Sequence, residues 1–169
     1  VVHIYRFKKH GKKLFLVTNS DFSYTKLLLD YTINPFVKSH KGWMDLFDYV
    51  VTSSSKPRFF IDNSRFLRID PATGYMTNMN GKLEPGIYQG GSAQVFTNDL
   101  NAAPDEILYI GDHIYGDILR LKKDCAWRTD LAAAERSLVG AGYALAVHDG
   151  RLHAAGYEGV MVVFDGTTW

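Results

Sequence analysis

Cysteine is almost missing from this chain. Cys125 is the single one in 169 residues, which excludes an internal disulfide and is compatible with a reducing cytoplasm. A dominant charge sign is missing too. With 19 Lys and Arg against 18 Asp and Glu, the net charge is +1, so composition makes no case for nucleic acid or an anionic membrane as partner. Affinity for a phosphate must then come from local geometry. No apolar run approaches the roughly 20 residues of a membrane-spanning helix, and the basic start, residues 1–13, lacks the apolar centre of a signal peptide. A soluble, cytoplasmic protein is the expectation. Val1 in place of an initiator Met points to a gene product that starts earlier. Internal repeats and low-complexity segments are absent. What is present, 46% hydrophobic and 14% aromatic residues, is enough for one globular domain with a sizeable core.

The spacing of apolar residues predicts an α/β alternation. Residues 1–10 read as a short helix, with Lys8, Lys9 and His10 in its last turn and Gly11 after it. Leu14-Phe15-Leu16-Val17 is a buried strand that ends in Thr18-Asn19-Ser20-Asp21, and Asp21 or Ser23 caps a helix through Leu27-Leu28-Leu29. Residues 31–44 read as loop and partial helix, broken at Pro35, before a strand at Tyr49-Val50-Val51. Two alternating segments around Pro71-Ala72-Thr73-Gly74 predict a β-hairpin that leaves the main sheet. Gly90-Gly91-Ser92 then precedes a helix carrying Val95, Phe96 and Leu100. A strand at residues 107–110, a helix to about Asp124 and an edge strand at Trp127-Arg128-Thr129 follow. Residues 136–169 form a glycine-rich tail with one strong strand signal at residues 160–164, and residues 1–135 form the core.

Chemistry gathers at the strand ends. In Ile107-Leu108-Tyr109-Ile110-Gly111-Asp112-His113-Ile114-Tyr115-Gly116-Asp117, a buried strand delivers Asp112 to its carboxyl end, where open α/β sheets bind ligands, and Asp117 opens the next segment. Taken alone, each aspartate is a turn or helix cap. Two carboxylates at one rim with oxygen-only donors suit Mg²⁺ better than Zn²⁺. Thr18, Asn19, Ser20 and Lys56 end two further strands, and together they supply hydroxyl, amide and ammonium donors for phosphoryl oxygens. Taken singly, Thr18-Asn19-Ser20 is a helix cap and Lys56 a solvated loop lysine; their shared order and placement argue otherwise. His113 has no His or Cys partner at ligand spacing and reads as structural, while Trp43 and Trp127 read as core.

These strings resemble the second, third and fourth motifs of the haloacid dehalogenase (HAD) superfamily. More closely, Phe15-Leu16-Val17-Thr18-Asn19-Ser20-Asp21, Lys56-Pro57-x-Phe59-Phe60, Gly90-Gly91-Ser92 and the stretch from Ile107 through Leu119 resemble the cytosolic purine 5′-nucleotidases. The resemblance covers about residues 1–135. It implies a HAD-like Rossmannoid α/β fold, three layers in α/β/α order around a mostly parallel sheet with a small β-hairpin excursion. It also implies Mg²⁺-dependent hydrolysis of a purine nucleoside 5′-monophosphate of the IMP or GMP type through an aspartyl phosphate. Matched motif by motif, Thr18 and Asn19 bind the phosphoryl group, and Lys56 holds it and the nucleophile's charge. Asp112 ligates Mg²⁺, and Asp117 supports the metal's waters and Lys56. No nucleic-acid or membrane partner is implied, and self-association into a homo-oligomer stays open.

The family's first motif, Asp-x-Asp-x-Thr/Val, which carries the nucleophile and the proton-transfer aspartate, occurs nowhere in the sequence, and neither does the base-recognising cap. The leading expectation is therefore a 5′-nucleotidase-type phosphatase whose first motif lies on another segment, with these residues inactive by themselves. Two alternatives stand beside it: a catalytically silent HAD-like module that binds phosphate or a partner, and a HAD phosphatase with another substrate. Val160-Met161-Val162-Val163-Phe164-Asp165-Gly166-Thr167 resembles the second half of that missing motif, with Val163 at the nucleophile's position. Two placements stay open for it: in the central slot between the Thr18 and Asp112 strands, with Asp165 near the metal, or elsewhere as a strand followed by an ordinary turn.

Overall fold

The computed structural model describes residues 2–38, 40–111, 119–131, 144–148, 151–155 and 159–164. Helix α1, Val2–Lys9, ends in basic residues and is closed by Gly11 at φ 75°, whose N–H reaches the Lys8 carbonyl while Lys12 reaches back to Phe7. Strand β1, Lys13–Thr18, follows, and then α2, Phe22–Thr32. Of the two expected caps for α2 it is Asp21 that serves, its carboxylate accepting from the Tyr24 N–H at 2.9 Å. Pro35 sits in a short 3₁₀ turn, Asn34–Phe36, and a second turn, Trp43–Asp45, leads to β2, Tyr49–Thr52.

Beyond β2 come a single-turn helix α3, Arg58–Ile61, and the hairpin β3, Phe66–Ile69, with β4, Met76–Asn78. Strand β5, Gly86–Gly90, leads to α4, Ala93–Leu100, where the Ser92 hydroxyl caps Val95 N–H. Strand β6, Ile107–Gly111, precedes α5, Arg120–Asp124, and the edge strand β7, Arg128–Leu131. The glycine-rich tail adds β8, Ala144–His148, β9, Arg151–Ala155, and β10, Gly159–Phe164. Strands β8 and β9 pair only with each other; the other eight form one sheet in the order β4-β3-β5-β2-β1-β10-β6-β7. No helix among the described residues is long and apolar enough to cross a membrane.

The sheet is mixed, with six strands pointing one way and only β3 and β10 reversed. Alternation along each strand sends side chains to two cores. Phe15, Val17, Tyr49, Val51 and Tyr109 meet Phe59, Phe60, Phe96, Leu121 and Trp127 on one face. On the other, Leu14, Leu16, Val50 and Ile110 meet Leu29, Ile33, Trp43 and Leu46.

Two expectations need correction. The hairpin does not leave the sheet: β3 pairs antiparallel with β5 from Phe66↔Gly90 to Ile69↔Ile87, so the hairpin forms one edge of it. The residue run at 160–164 does take the central slot, pairing with β1 and β6 at once, but it runs antiparallel to both. Phe164 lies opposite Lys13 and Ile107, at the amino ends of its neighbours, and Gly159 lies opposite Thr18. A first-motif strand would deliver its aspartate to the carboxyl ends, so the alignment of Val163 with the nucleophile fails on direction. Asp165 itself lies outside the described residues.

Gly91 adopts φ 78°, and a Cβ built there would sit 2.0 Å from Cε1 of Phe66, whose ring is buried. Gly91→Ala is expected to cost about 3 kcal/mol or more, because left-handed strain and overpacking add. Chemical denaturation measures it; a loss under about 1 kcal/mol would show that the ring moves freely. Val162→Pro removes a ladder donor from a strand bonded on both sides and should cost at least about 3 kcal/mol. The same titration reads it, and an unchanged midpoint would show that β10 is dispensable to the sheet.

Candidate functional site

Strands β1, β2, β5 and β6 share a direction, so Thr18, Thr52, Gly90 and Gly111 end at one rim. The polar residues there are sequestered: Thr18, Thr52, Ser54 and Ser92 are all buried. Buried hydroxyls need partners. The Thr52 hydroxyl donates to the Tyr88 carbonyl at 3.0 Å, Thr18 Oγ1 accepts from Ser20 N–H at 3.1 Å, and the Ser54 hydroxyl donates to Asn19 Oδ1 at 3.0 Å.

Asn19 organises this rim. Its Oδ1 accepts from the Lys56 N–H at 2.6 Å as well as from Ser54, and its Nδ2 donates to the Lys56 carbonyl at 3.2 Å. The primary amide thus grips both faces of one peptide residue, as a strand neighbour would. Main-chain bonds from Ser53 N–H to the Ser20 carbonyl (2.8 Å) and from Ser54 N–H to the Thr18 carbonyl (3.0 Å) seal the rest of the loop to β1. Within it Ser53 and Ser55 sit in the left-handed region, at φ 45° and 59°, which costs a residue with a Cβ about 1–2 kcal/mol each. The loop holds that conformation because its hydrogen bonds leave it no alternative. Past the cis Lys56-Pro57 peptide, α3 seats Phe59 and Phe60 in the core.

The result is an aimed lysine. Lys56 Nζ donates to the hydroxyl of Tyr109 on β6 at 3.3 Å, so the half-buried side chain reaches across to that strand. Thr18, Asn19 and Lys56 lie at one rim: the Thr18 carbonyl and the Asn19 amide hold the loop of Lys56, and the Lys56 amine reaches Tyr109 of β6. The carboxylates expected next, Asp112 and Asp117, lie outside the described residues. Among the described residues no group of three His, Cys, Asp or Glu side chains could hold a metal ion. Ser54 and Tyr109 went unassigned in the sequence; the only signal for Ser54 was the run Ser53-Ser54-Ser55 before Lys56, and Tyr109 reads as one more aromatic in a buried strand.

Other features do not compete. A groove of about 780 Å³ lined by Asp48, Arg68, Ile69, Asp70 and Gly86 lies at the opposite rim, where β2 and β5 begin. A second, of about 550 Å³, lies between α3, α4 and α5 and includes Cys125. Burial, and after it the Asp124 carboxylate, pushes that thiol up to about 12, and its Sγ donates to the Phe60 carbonyl at 3.3 Å. It is protonated at neutral pH and is no nucleophile.

A 5′-nucleotidase domain-containing protein of Dictyostelium discoideum is 33% identical over 133 residues, 77% of this chain and 22% of that protein. The human 5′-nucleotidase domain-containing protein 2 is 34% identical over 126 residues, 73% of this chain and 23% of that protein. The chain thus spans under a quarter of the length of these relatives. The 5′ nucleotidase family model matches residues 1–136, which contain the whole Thr18–Asn19–Lys56 arrangement and the segment of Asp112 and Asp117: the chain belongs to the 5′ nucleotidase family.

Proposed function

We propose that the full-length protein is a cytoplasmic, Mg²⁺-dependent phosphohydrolase of HAD-like three-layer fold that removes the 5′-phosphate of purine nucleoside monophosphates of the IMP or GMP type. The observation that supports this best is the grip of Asn19 on Lys56, which presents an ammonium beside the strand end preceding Asp112. Thr18 and Lys56 offset the charge of the phosphoryl group with hydroxyl and ammonium donors, while Asn19, whose amide is engaged by Ser54 and Lys56, holds the lysine's loop beside it. Asp112 and Asp117 form an oxygen-only donor pair that fits Mg²⁺, which when bound neutralises further phosphate charge. An aspartate on sequence other than these 169 residues attacks phosphorus, the nucleoside leaves, and water hydrolyses the aspartyl phosphate to release inorganic phosphate. Lys56 steadies the carboxylate nucleophile and the transferring group through both steps.

The test is phosphate release from IMP and GMP by the full-length protein, with and without Mg²⁺. Asp112→Asn is expected to abolish Mg²⁺-dependent turnover with an unchanged unfolding midpoint; retained Mg²⁺ dependence would remove Asp112 from the metal site. Lys56→Ala should lower kcat/KM about 10²–10³-fold, far beyond an ordinary surface lysine, since it deletes a preorganised charge aimed at the reacting group. If wild-type protein binds inorganic phosphate but releases none from any nucleotide, the catalytically silent binding module is the correct reading instead.

A further inference from the structure

Lys56 is held at both ends, and only one end is explained by the peptide grip of Asn19. The other end is the contact between Nζ and Tyr109 Oη. A lysine carries its charge on a flexible four-carbon stem, so an ammonium used in catalysis is spread over many rotamers unless something fixes it. Tyr109 is fully buried, with its ring edge-on to Phe60 at 5.5 Å and 88° and within 6.3 Å of Trp127. Phe60 lies four residues after Lys56, so the element that follows the lysine clamps the tyrosine that receives its amine. The phenol oxygen is thus a fixed acceptor at the end of a rigid ring. A buried tyrosine hydroxyl needs a partner in any fold, and that alone would account for a contact. It does not account for the choice of a lysine whose backbone is itself pinned by a side chain 37 residues away.

We propose that Tyr109 is a positioning residue that fixes the Lys56 ammonium for phosphoryl transfer, completing from the amine end what Asn19 does from the backbone. This rests on the phosphohydrolase reading above. Removing the hydroxyl leaves the ring, its packing and the lysine in place, and takes away one contact that orients the ammonium.

The experiment uses the full-length protein as wild type, Tyr109→Phe and Lys56→Ala, with three readouts: kcat and KM for IMP, the unfolding midpoint, and the acylation rate of Lys56 by an amine reagent followed by peptide mass spectrometry. Tyr109→Phe is expected to lower kcat about 10-fold, as loss of orientation does, with a smaller change in KM. Lys56 should acylate several-fold faster, while Lys26 and Lys38 and the midpoint stay as in wild type. A merely structural tyrosine would move the midpoint and leave the labelling of Lys56 unchanged. Unchanged Lys56 labelling, or a kcat within about twofold of wild type, overturns the proposal. Lys56→Ala separates the two levels: if it loses activity while Tyr109→Phe does not, only the positioning role fails. If Lys56→Ala keeps wild-type turnover, the reading of Lys56 as part of the reaction fails and the positioning role with it.

Discussion

The sheet is one sheet because of β10. Strands β1 and β6 have no hydrogen bonds to each other; each pairs with β10, and through it the five strands from β4 to β1 join the pair β6 and β7. Backbone groups in a buried sheet have no water to turn to, so an empty slot would orphan the facing edges of both neighbours. The slot also sets the geometry of the rim. From β2, which leads into Lys56, to β6, which carries Tyr109, there are three strand spacings, about 14 Å. A lysine leaving the end of β2 in an ordinary extended loop would rise over its own strand. Here the left-handed residues Ser53 and Ser55 turn the loop back over β1, where Asn19, Ser20 and Thr18 fasten it, and only then does the side chain cover the remaining distance to β6.

That arrangement explains why so much hydrogen bonding is invested in a few residues. An unmade bond from a buried polar group costs about 1–3 kcal/mol, and four buried hydroxyl residues lie at this rim. Each hydroxyl is used to fix backbone: Thr52 on Tyr88, Thr18 on Ser20, Ser92 on Val95, and Ser54 through Asn19 on the Lys56 loop. The stability needed to bury them and the positional order of the rim come from the same bonds. With a net charge of +1, the molecule has little long-range field with which to attract an anion, so the phosphate site proposed above rests on the rigidity of the rim.

Much of this was legible in the residues, for identifiable reasons. The unbroken apolar run Leu14-Phe15-Leu16-Val17, the Asp21 cap and the Gly11 stop are local signals, and the structure follows them. Strand β5 was not legible: Gly86 and Gly90 bound it, Pro85 precedes it, and its three central residues are too few to show a period. Nor was the direction of β10. A strand pattern reads the same both ways, and the likeness of Asp165-Gly166-Thr167 to a catalytic motif is a local likeness that says nothing of which rim the strand runs toward. The hairpin's place at the sheet edge depended on β5 and was missed with it.

The site divides along the same line. Thr18, Asn19 and Lys56 could be singled out by residue type, because hydroxyl, amide and ammonium at strand ends have a recognisable chemistry. Their division of labour could not, because the Asn19 amide finds its partners 35 and 37 residues away, through a loop whose backbone conformation no propensity favours. Asn19 shows what that hides. By type it is a phosphate ligand; in the fold its side-chain oxygen and nitrogen are both engaged by Ser54 and Lys56. In the proposed reaction such an asparagine acts on a phosphoryl group chiefly through the lysine it holds, so the Lys56 ammonium and the amide that fastens its loop form one unit, which meets β6 at the hydroxyl of Tyr109.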